Sequence, residues 1–269
     1  MDMIAFIGGG NMASAIIGGL RKSGRAAQAI VVVDPGAAQR ERLQSEFGVR
    51  TLAAADTSLA QAATVVWAVK PQFFAAAAAP CAAHVRNALQ LSVMAGIRSD
   101  AIRRATGSER VVRTMPNTPA LVGRGMTGLF ARSAVSAADR AAVEAVLGPT
   151  GELLWVARED DLDAVTALSG SGPAYVFYFV ESMIEAATQM GLSAEQGKQL
   201  ALATFAGATA LAQASADAPA VLRERVTSKG GTTHAALTAL EAAGVKASFI
   251  AALQAAQQRA RELGDEFGL

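Results

Sequence analysis

The stretch Ile7-Gly8-Gly9-Gly10-Asn11-Met12-Ala13 decides how the rest of the chain is read. It has the spacing G-x-G-x-x-G/A, directly follows the apolar run 4–7, and opens a segment with helical composition. In such a strand–turn–helix unit the first glycine allows the tight turn and the second lets a pyrophosphate approach the backbone. The small residue at the third position lets the helix pack close to the strand. Free N–H groups and the positive dipole end at the helix start complete a cradle for phosphate. Gly8, Gly10 and Ala13 fill these three positions, with Asn11 and Met12 at the first helical positions, so the motif points to a bound dinucleotide.

Outward from this motif the same alternation continues. Apolar runs without polar alternation recur at 30–33, 65–69, 89–94 and 111–112, as in strands buried on both faces of a parallel sheet. Between them lie helical segments at 11–23, 37–47, 73–86 and 100–106. Strand and helix in alternation predict a doubly wound α/β domain. A capping-box start at Ser136 and Asp139, a stop at Gly148-Pro149 and a last strand at 152–156 close it, and the domain is assigned to residues 1–157.

Residues 158–269 carry no strand signal. Pro173 stands at a tolerated first helical position, and Ser193 with Gln196 restarts a helix by a capping box. Helices are predicted from 173 to Gly191, 193 to 215, 219 to 225, 233 to 243 and from Val245 onward. The stripe Leu200, Ala203, Thr204, Gly207, Ala208, Leu211 is small-residued and suits either an internal core or a subunit interface, because a domain of this size buries little by itself.

Composition narrows the function. The 269 residues carry 24 Lys+Arg against 23 Asp+Glu, a net charge of +1, which gives no electrostatic reason to hold nucleic acid or an anionic membrane. One cysteine, Cys81, excludes an internal disulfide and a cysteine metal cluster, and two distant histidines argue against a zinc site. No signal-like start and no uninterrupted apolar span are visible, so the expected location is the cytoplasm.

Other candidate residues stand at strand ends. Asp34 closes the second strand, where an acidic residue binds the adenosine ribose and favours NAD(H) over NADP(H). Arg40 and Arg42 follow; they could meet a phosphate, but they read more simply as a solvated helix face. Ala68-Val69-Lys70-Pro71 follows the strand at 65–69, where Lys70 is either beside the cofactor or a surface lysine at a turn. Asn117 sits in the proline-stiffened loop 113–119. Capping would explain most of the small-residue block at 168–175. The segment 226–234 opens a helix with two glycines and several hydroxyls, a nest suited to a carboxylate or phosphate. His234 within it reads as structural. No nucleophile–His–Asp set can be assembled, which suits hydride transfer, where the cofactor carries the hard chemistry.

On these residues the chain resembles the pyrroline-5-carboxylate reductase family along its whole length. The resemblance rests on 8–13, 68–72, 115–123, 168–175 and above all Leu222-Arg223 through Ser228-Lys229-Gly230-Gly231-Thr232-Thr233 to Leu240-Glu241. Lys229 stands where the family usually has proline. The resemblance implies a Rossmann-type first domain and an all-helical dimerisation domain that also binds substrate. It further implies homodimers, often five of them in a decamer, and reduction of L-1-pyrroline-5-carboxylate to L-proline by NADP(H) or NAD(H). By the same resemblance Ser228, Gly230, Gly231, Thr232 and Asn117 contact the substrate, and the catalytic Thr233 hydroxyl reaches its ring nitrogen. Gly8, Gly10, Asn11, Met12, Asp34, Ala68, Val69, Lys70, Pro71, Ala95 and Gly96 contact the cofactor, with Ala95-Gly96 near the nicotinamide. A hydroxyacid or 6-phosphogluconate type of dehydrogenase would need a catalytic lysine on the helical domain. Lys198 and Lys246 lie in ordinary helix patterns instead. A sensor that binds the cofactor without consuming it would have no use for the second anion nest.

Overall fold

The computed structural model describes residues 2–267, which form two compact units. The first comprises the chain up to Ser171 together with the stretch from Ala256 onward, and the second is Gly172–Ala255. The boundary expected after residue 157 lies inside the first unit, because Leu162 and Asp163 beyond it are buried there.

In chain order the first unit contains β1 (Met3–Ile7), α1 (Asn11–Lys22), β2 (Ile30–Val33), α2 (Ala37–Phe47), β3 (Arg50–Leu52) and β4 (Ala62–Trp67). It continues with α3 (Phe74–Ala78), α4 (Ala82–Val85), β5 (Leu89–Ser92), α5 (Ser99–Thr106), β6 (Val111–Met115), β7 (Gly125–Ala131), α6 (Ala137–Leu147), β8 (Gly151–Trp155) and α7 (Asp161–Val165). The eight strands form one sheet in the order β3-β2-β1-β4-β5-β6-β7-β8. The six strands from β3 to β6 run parallel, as the unbroken apolar runs require. The chain winds outward from β1 to β3, then crosses back to place β4 on the other side of β1. That reversal leaves a crevice at the carboxyl ends of β1 and β4.

The structure adds two strands to those expected and corrects one helix. β7 runs antiparallel to β6 and β8 runs parallel to β7, so the sheet is mostly parallel. β7 and β3 escape a periodicity reading, β3 because it has only three residues and β7 because Gly125 and Gly128 weaken its signal. A Cβ on Gly128 would stand 2.7 Å from Val165 Cγ1, so that glycine admits α7 against the sheet. The single helix expected over 73–86 is divided into α3 and α4, with Pro80 in the break, where it has no N–H to continue a helical ladder.

Both sheet faces are covered. Ile16 and Ile17 of α1 pack with Phe6 and Val32 on one face, and Trp67, Val85 and Ile102 pack with Ala5 and Val31 on the other. Gln90, one of several polar side chains buried in these strands, is satisfied. Trp67 donates its indole N–H to Gln90 Oε1 at 2.9 Å, and the Gln90 amide donates to the carbonyls of Val85 and Ala88. α6 begins with the expected capping box: Ser136 Oγ accepts the Asp139 N–H at 3.1 Å, and Asp139 accepts the Ser136 N–H at 3.0 Å.

The second unit holds α8 (Gly172–Gln189), α9 (Ala194–Ala214), α10 (Pro219–Arg225), α11 (Thr232–Ala242) and the first part of α12 (Val245–Phe267). The block before α8 is a π-helical turn at Thr166–Gly170, with Ser171 in helical conformation. Gly197 lets α9 approach α8 closely, since a Cβ there would lie 2.8 Å from that of Ala187. α9 starts with the expected Ser193–Gln196 capping box. Few side chains of this unit are buried, whereas Phe177, Tyr178, Met190, Leu200, Leu211 and Ile250 are exposed. Bare apolar surface on this scale marks an interaction site. Among the described residues no single helix is long and apolar enough to cross a membrane.

Candidate active site

The crevice at the sheet's switch point is a cavity of about 540 Å³, within the ~300–1,000 Å³ of small-molecule sites. The glycine loop, Asp34 and Pro35, and Ala68-Val69-Lys70 line it. Its apolar wall comes from Ala53–Ala55, Phe73, Ala76-Ala77 and the buried Cys81. Burial pushes the Cys81 thiol up to about 11, so at neutral pH it is an uncharged apolar surface.

The loop has the form a phosphate cradle needs. Gly8 has φ +95°, and a Cβ on it would meet the Ala68 carbonyl oxygen at 2.7 Å. Gly10 caps α1 in extended conformation, without a side-chain cap, and a Cβ on it would have nothing within 4 Å. The space beside Gly10 and the uncapped helix start is what a pyrophosphate group requires. Asn11 and Met12 supply the first-turn backbone, and Ala13 is wholly buried beneath it. The site therefore fits a nicotinamide dinucleotide.

Asp34 has a task beyond the one its position suggests. Its Oδ2 accepts the Gly9 N–H at 2.8 Å and its Oδ1 accepts the Gly36 N–H at 2.8 Å. Gln39 donates to the Gly9 carbonyl from the same turn. The carboxylate thus latches the phosphate loop to the end of β2, and each oxygen keeps a lone pair for a ribose hydroxyl. Arg40 is not a merely solvated residue: its Nη1 donates to the carbonyls of Asp34 and Pro35, both at 2.8 Å. Arg42 donates to Ser14 Oγ at 2.8 Å. Such contacts are invisible to helical periodicity.

Lys70 is exposed at the cavity rim, and Pro71 opens the short turn after it without lining the cavity. Ala95 and Gly96 follow β5 and do not line the cavity either. Asn117 is turned to structural use. Its amide donates to the Ser169 carbonyl and hydroxyl, both at 3.2 Å, and its oxygen accepts the Met126 N–H at 2.9 Å. Those bonds brace the loop after β6 and give no support to the substrate contact expected of Asn117.

The second constellation lies in the second unit. Gly231 N–H donates to the Ser228 carbonyl at 3.0 Å, closing a turn with Lys229 second and Gly230 third at φ +76°. That positive φ is what a type II turn demands, and its second position is where proline is favoured. Gly231 caps α11 without a side-chain bond, so the first-turn N–H groups of Thr232 and Thr233 are uncapped. A Cβ on Gly231 would stand 2.5 Å from Ser228 Oγ, so only glycine lets that hydroxyl lie over the helix start. Ser228 and Thr232 are exposed and Thr233 is half-buried. An open helix N-terminus with hydroxyls beside it presents hydrogen-bond donors that suit an anion. Among the described residues no cluster of His, Cys, Asp or Glu is arranged to hold a metal ion.

Together the glycine cradle and the sheet order define a nicotinamide-dependent oxidoreductase, and residues 3–96 match the family described as NADP oxidoreductase, coenzyme F420-dependent. Residues 159–263 match the family described as pyrroline-5-carboxylate reductase dimerisation. A pyrroline-5-carboxylate reductase of Pseudomonas aeruginosa is 43% identical over 267 residues, covering 98% of each chain. Two solved structures agree in fold. A pyrroline-5-carboxylate reductase from Coxiella burnetii has TM-score 0.90 at 36% identity, covering 97% of this chain and 98% of that one. A pyrroline carboxylate reductase from Plasmodium falciparum with NADP bound has TM-score 0.87 at 28% identity, covering 98% of each. The chain belongs to the pyrroline-5-carboxylate reductase family.

Proposed function

We propose that this chain reduces the C=N bond of L-1-pyrroline-5-carboxylate to L-proline, with NADPH or NADH as reductant. The observation that carries the reading is the uncapped N-terminus of α11 with Ser228 over it, a seat for one carboxylate, in a chain that also has a dinucleotide cradle. When bound, the reduced nicotinamide supplies a hydride to the imine carbon. The chain's own residues orient the acceptor. Ser228 and the N–H groups at Gly231, Thr232 and Thr233 hold the carboxylate, with Gly230 shaping the turn. The Thr233 hydroxyl hydrogen-bonds the ring nitrogen as it becomes an amine. Gly8, Gly10, Asn11 and Met12 hold the pyrophosphate, Asp34 takes the ribose, and Ala68, Val69, Lys70 and Pro71 flank the cofactor. A protonated imine is already electrophilic, so orientation is the main requirement, and orientation supplies up to ~7–11 kcal/mol in favourable cases.

The test is single-turnover kinetics on Thr233→Ala. The hydride-transfer rate should fall far more than cofactor binding weakens; an unchanged rate removes Thr233 from the chemistry. Failure of the unsubstituted protein to oxidise NADPH or NADH when given pyrroline-5-carboxylate refutes the function itself.

The exposed apolar side chains of α8, α9 and α12 support association of two chains through the helical unit, with five such dimers forming a decamer in the cytoplasm. Light scattering that finds a monomer, about 27.5 kDa, at micromolar concentration would exclude this assembly.

A further inference from the structure

Gly9, the middle glycine of the loop that lines the cavity, is held on both sides of its α-carbon. Its N–H donates to Asp34 Oδ2 at 2.8 Å, and its carbonyl accepts a hydrogen bond from the Gln39 side-chain amide. Ser14 Oγ approaches the same carbonyl from α1 only to 3.5 Å, longer than a normal O–H···O bond. Among the described residues Gln39 therefore makes the one close bond to that oxygen. The Gly9 carbonyl and the Gly10 N–H belong to one peptide plane, and no described peptide bond is cis, so the two groups point in opposite directions. With the carbonyl turned to α2, the Gly10 N–H is turned away from it. That N–H has no hydrogen bond among the described residues. It stands in the glycine wall of the cavity, where a Cβ on Gly10 would have nothing within 4 Å.

We propose that Gln39 is a positioning residue for the cofactor: by holding the Gly9 carbonyl toward α2, it aims the Gly10 N–H into the cavity as a donor to the pyrophosphate. The inference rests on the proposed seat of the pyrophosphate at Gly8, Gly10, Asn11 and Met12. A released peptide plane is free to turn its carbonyl oxygen into the cavity. An acceptor then faces the anion where a donor stood, so binding loses an attraction and gains a repulsion. The anchorage of α2 does not depend on this bond. Leu43, wholly buried, packs beneath the loop, since a Cβ on Gly9 would lie 2.6 Å from Leu43 Cδ1. Gln39 is only half-buried and serves the loop instead. The pyrophosphate is common to NADPH and NADH, whereas the ribose position at which they differ is assigned to Asp34. Gln39 therefore acts equally on both reductants, and on their affinity before the chemical step.

The experiment compares the unsubstituted protein with Gln39→Leu, which keeps the bulk and deletes the amide, and Gln39→Glu, which keeps the shape and sets an acceptor against the carbonyl. Each is titrated with NADPH and with NADH, melted, and assayed for kcat at saturating reductant. Gln39→Leu should bind both reductants roughly 5- to 50-fold more weakly, by the same factor for each, as the loss of one charge-assisted hydrogen bond predicts. Gln39→Glu should bind them at least as weakly. For both variants kcat at saturation should stay within twofold, and the melting temperature should stay close to the parental one. Dissociation constants for Gln39→Leu less than fivefold above the parental ones overturn the inference. A loss confined to one reductant overturns it too, because the effect then lies at the ribose. Weaker binding matched by a much lower melting temperature assigns Gln39 to the fold and also overturns it. If Gln39→Leu does not fold, the nearly isosteric Gln39→Glu decides. Failure of the unsubstituted protein to bind NADPH or NADH would overturn the proposed cofactor site and this inference with it. A protein that binds both yet leaves pyrroline-5-carboxylate unreduced refutes the function alone, and its titrations still decide the role of Gln39.

Discussion

Gly8 and Gly10 belong to one motif but answer to different forces, and exchanging each for alanine separates them. At Gly10 the backbone is at φ −66°, ψ −169°, which any residue adopts, and a methyl group would meet nothing within 4 Å. Alanine is a poorer N-cap than glycine by ~0.5–1 kcal/mol. The smaller entropy of its unfolded chain returns ~0.4–1 kcal/mol. The fold should therefore hardly notice Gly10→Ala. The methyl occupies the approach to the free N–H groups of α1, where a charge-assisted hydrogen bond is worth ~1.5–3 kcal/mol. At ~1.4 kcal/mol per tenfold, NADPH should bind roughly 10- to 100-fold more weakly. Gly8→Ala faces the opposite balance. Its φ of +95° is costly for an L side chain, and the methyl would press on the Ala68 carbonyl at 2.7 Å. Left-handed conformation alone costs ~1–2 kcal/mol, and the clash adds to it. Thermal melts and cofactor fluorescence titration on both variants provide the assay. Gly8→Ala should melt several degrees lower, while Gly10→Ala should melt as the parent does yet bind poorly. If Gly10→Ala binds NADPH with parental affinity, or Gly8→Ala keeps the parental melting temperature, the assignment of the cradle fails.

Two further predictions concern carboxylates. Asp34→Ala should weaken NADPH and NADH together, because it releases the latch on Gly9, and it should weaken NADH further through the lost ribose bond; in the parent NADH should remain usable, and a hundredfold preference for NADPH in kcat/KM would defeat the ribose argument. The side-chain hydrogen bond from Arg110 is the main cause holding Asp139 at about 2, with help from Ser136, against 3.8 ordinarily. Its lowered value in the folded state means that the stabilisation is complete above about pH 4 and is lost as the pH falls toward 2. At ~1.36 kcal/mol per unit, and discounting for the partly exposed Arg110, it is worth ~1–2 kcal/mol. Asp139→Asn should melt lower at pH 7 and flatten the acid limb of the stability curve; an unaltered limb would show that the pair contributes nothing.

The sequence by itself determined the local elements, the two glycine-rich helix starts among them. Apolar runs marked the buried strands, the glycine loop announced a strand–turn–helix cradle, and both capping boxes formed as their spacing required. These features are decided within a few residues, by backbone conformation and short-range hydrogen bonds, and so they are written in order along the chain. Tertiary structure alone decided the rest. β7 was hidden because its glycines serve the close approach of Ala120 and of α7 rather than strand propensity. Asn117 had the look of a ligand-binding amide until Ser169 and Met126 took up its hydrogen bonds. The return of the chain was likewise unreadable, since the end of α12 rejoins the first unit through Gly264 and Asp265, more than 160 residues beyond the Arg98 they meet. A local pattern records what a residue is, whereas the partner that satisfies it is chosen by folding among distant groups competing for the same contacts.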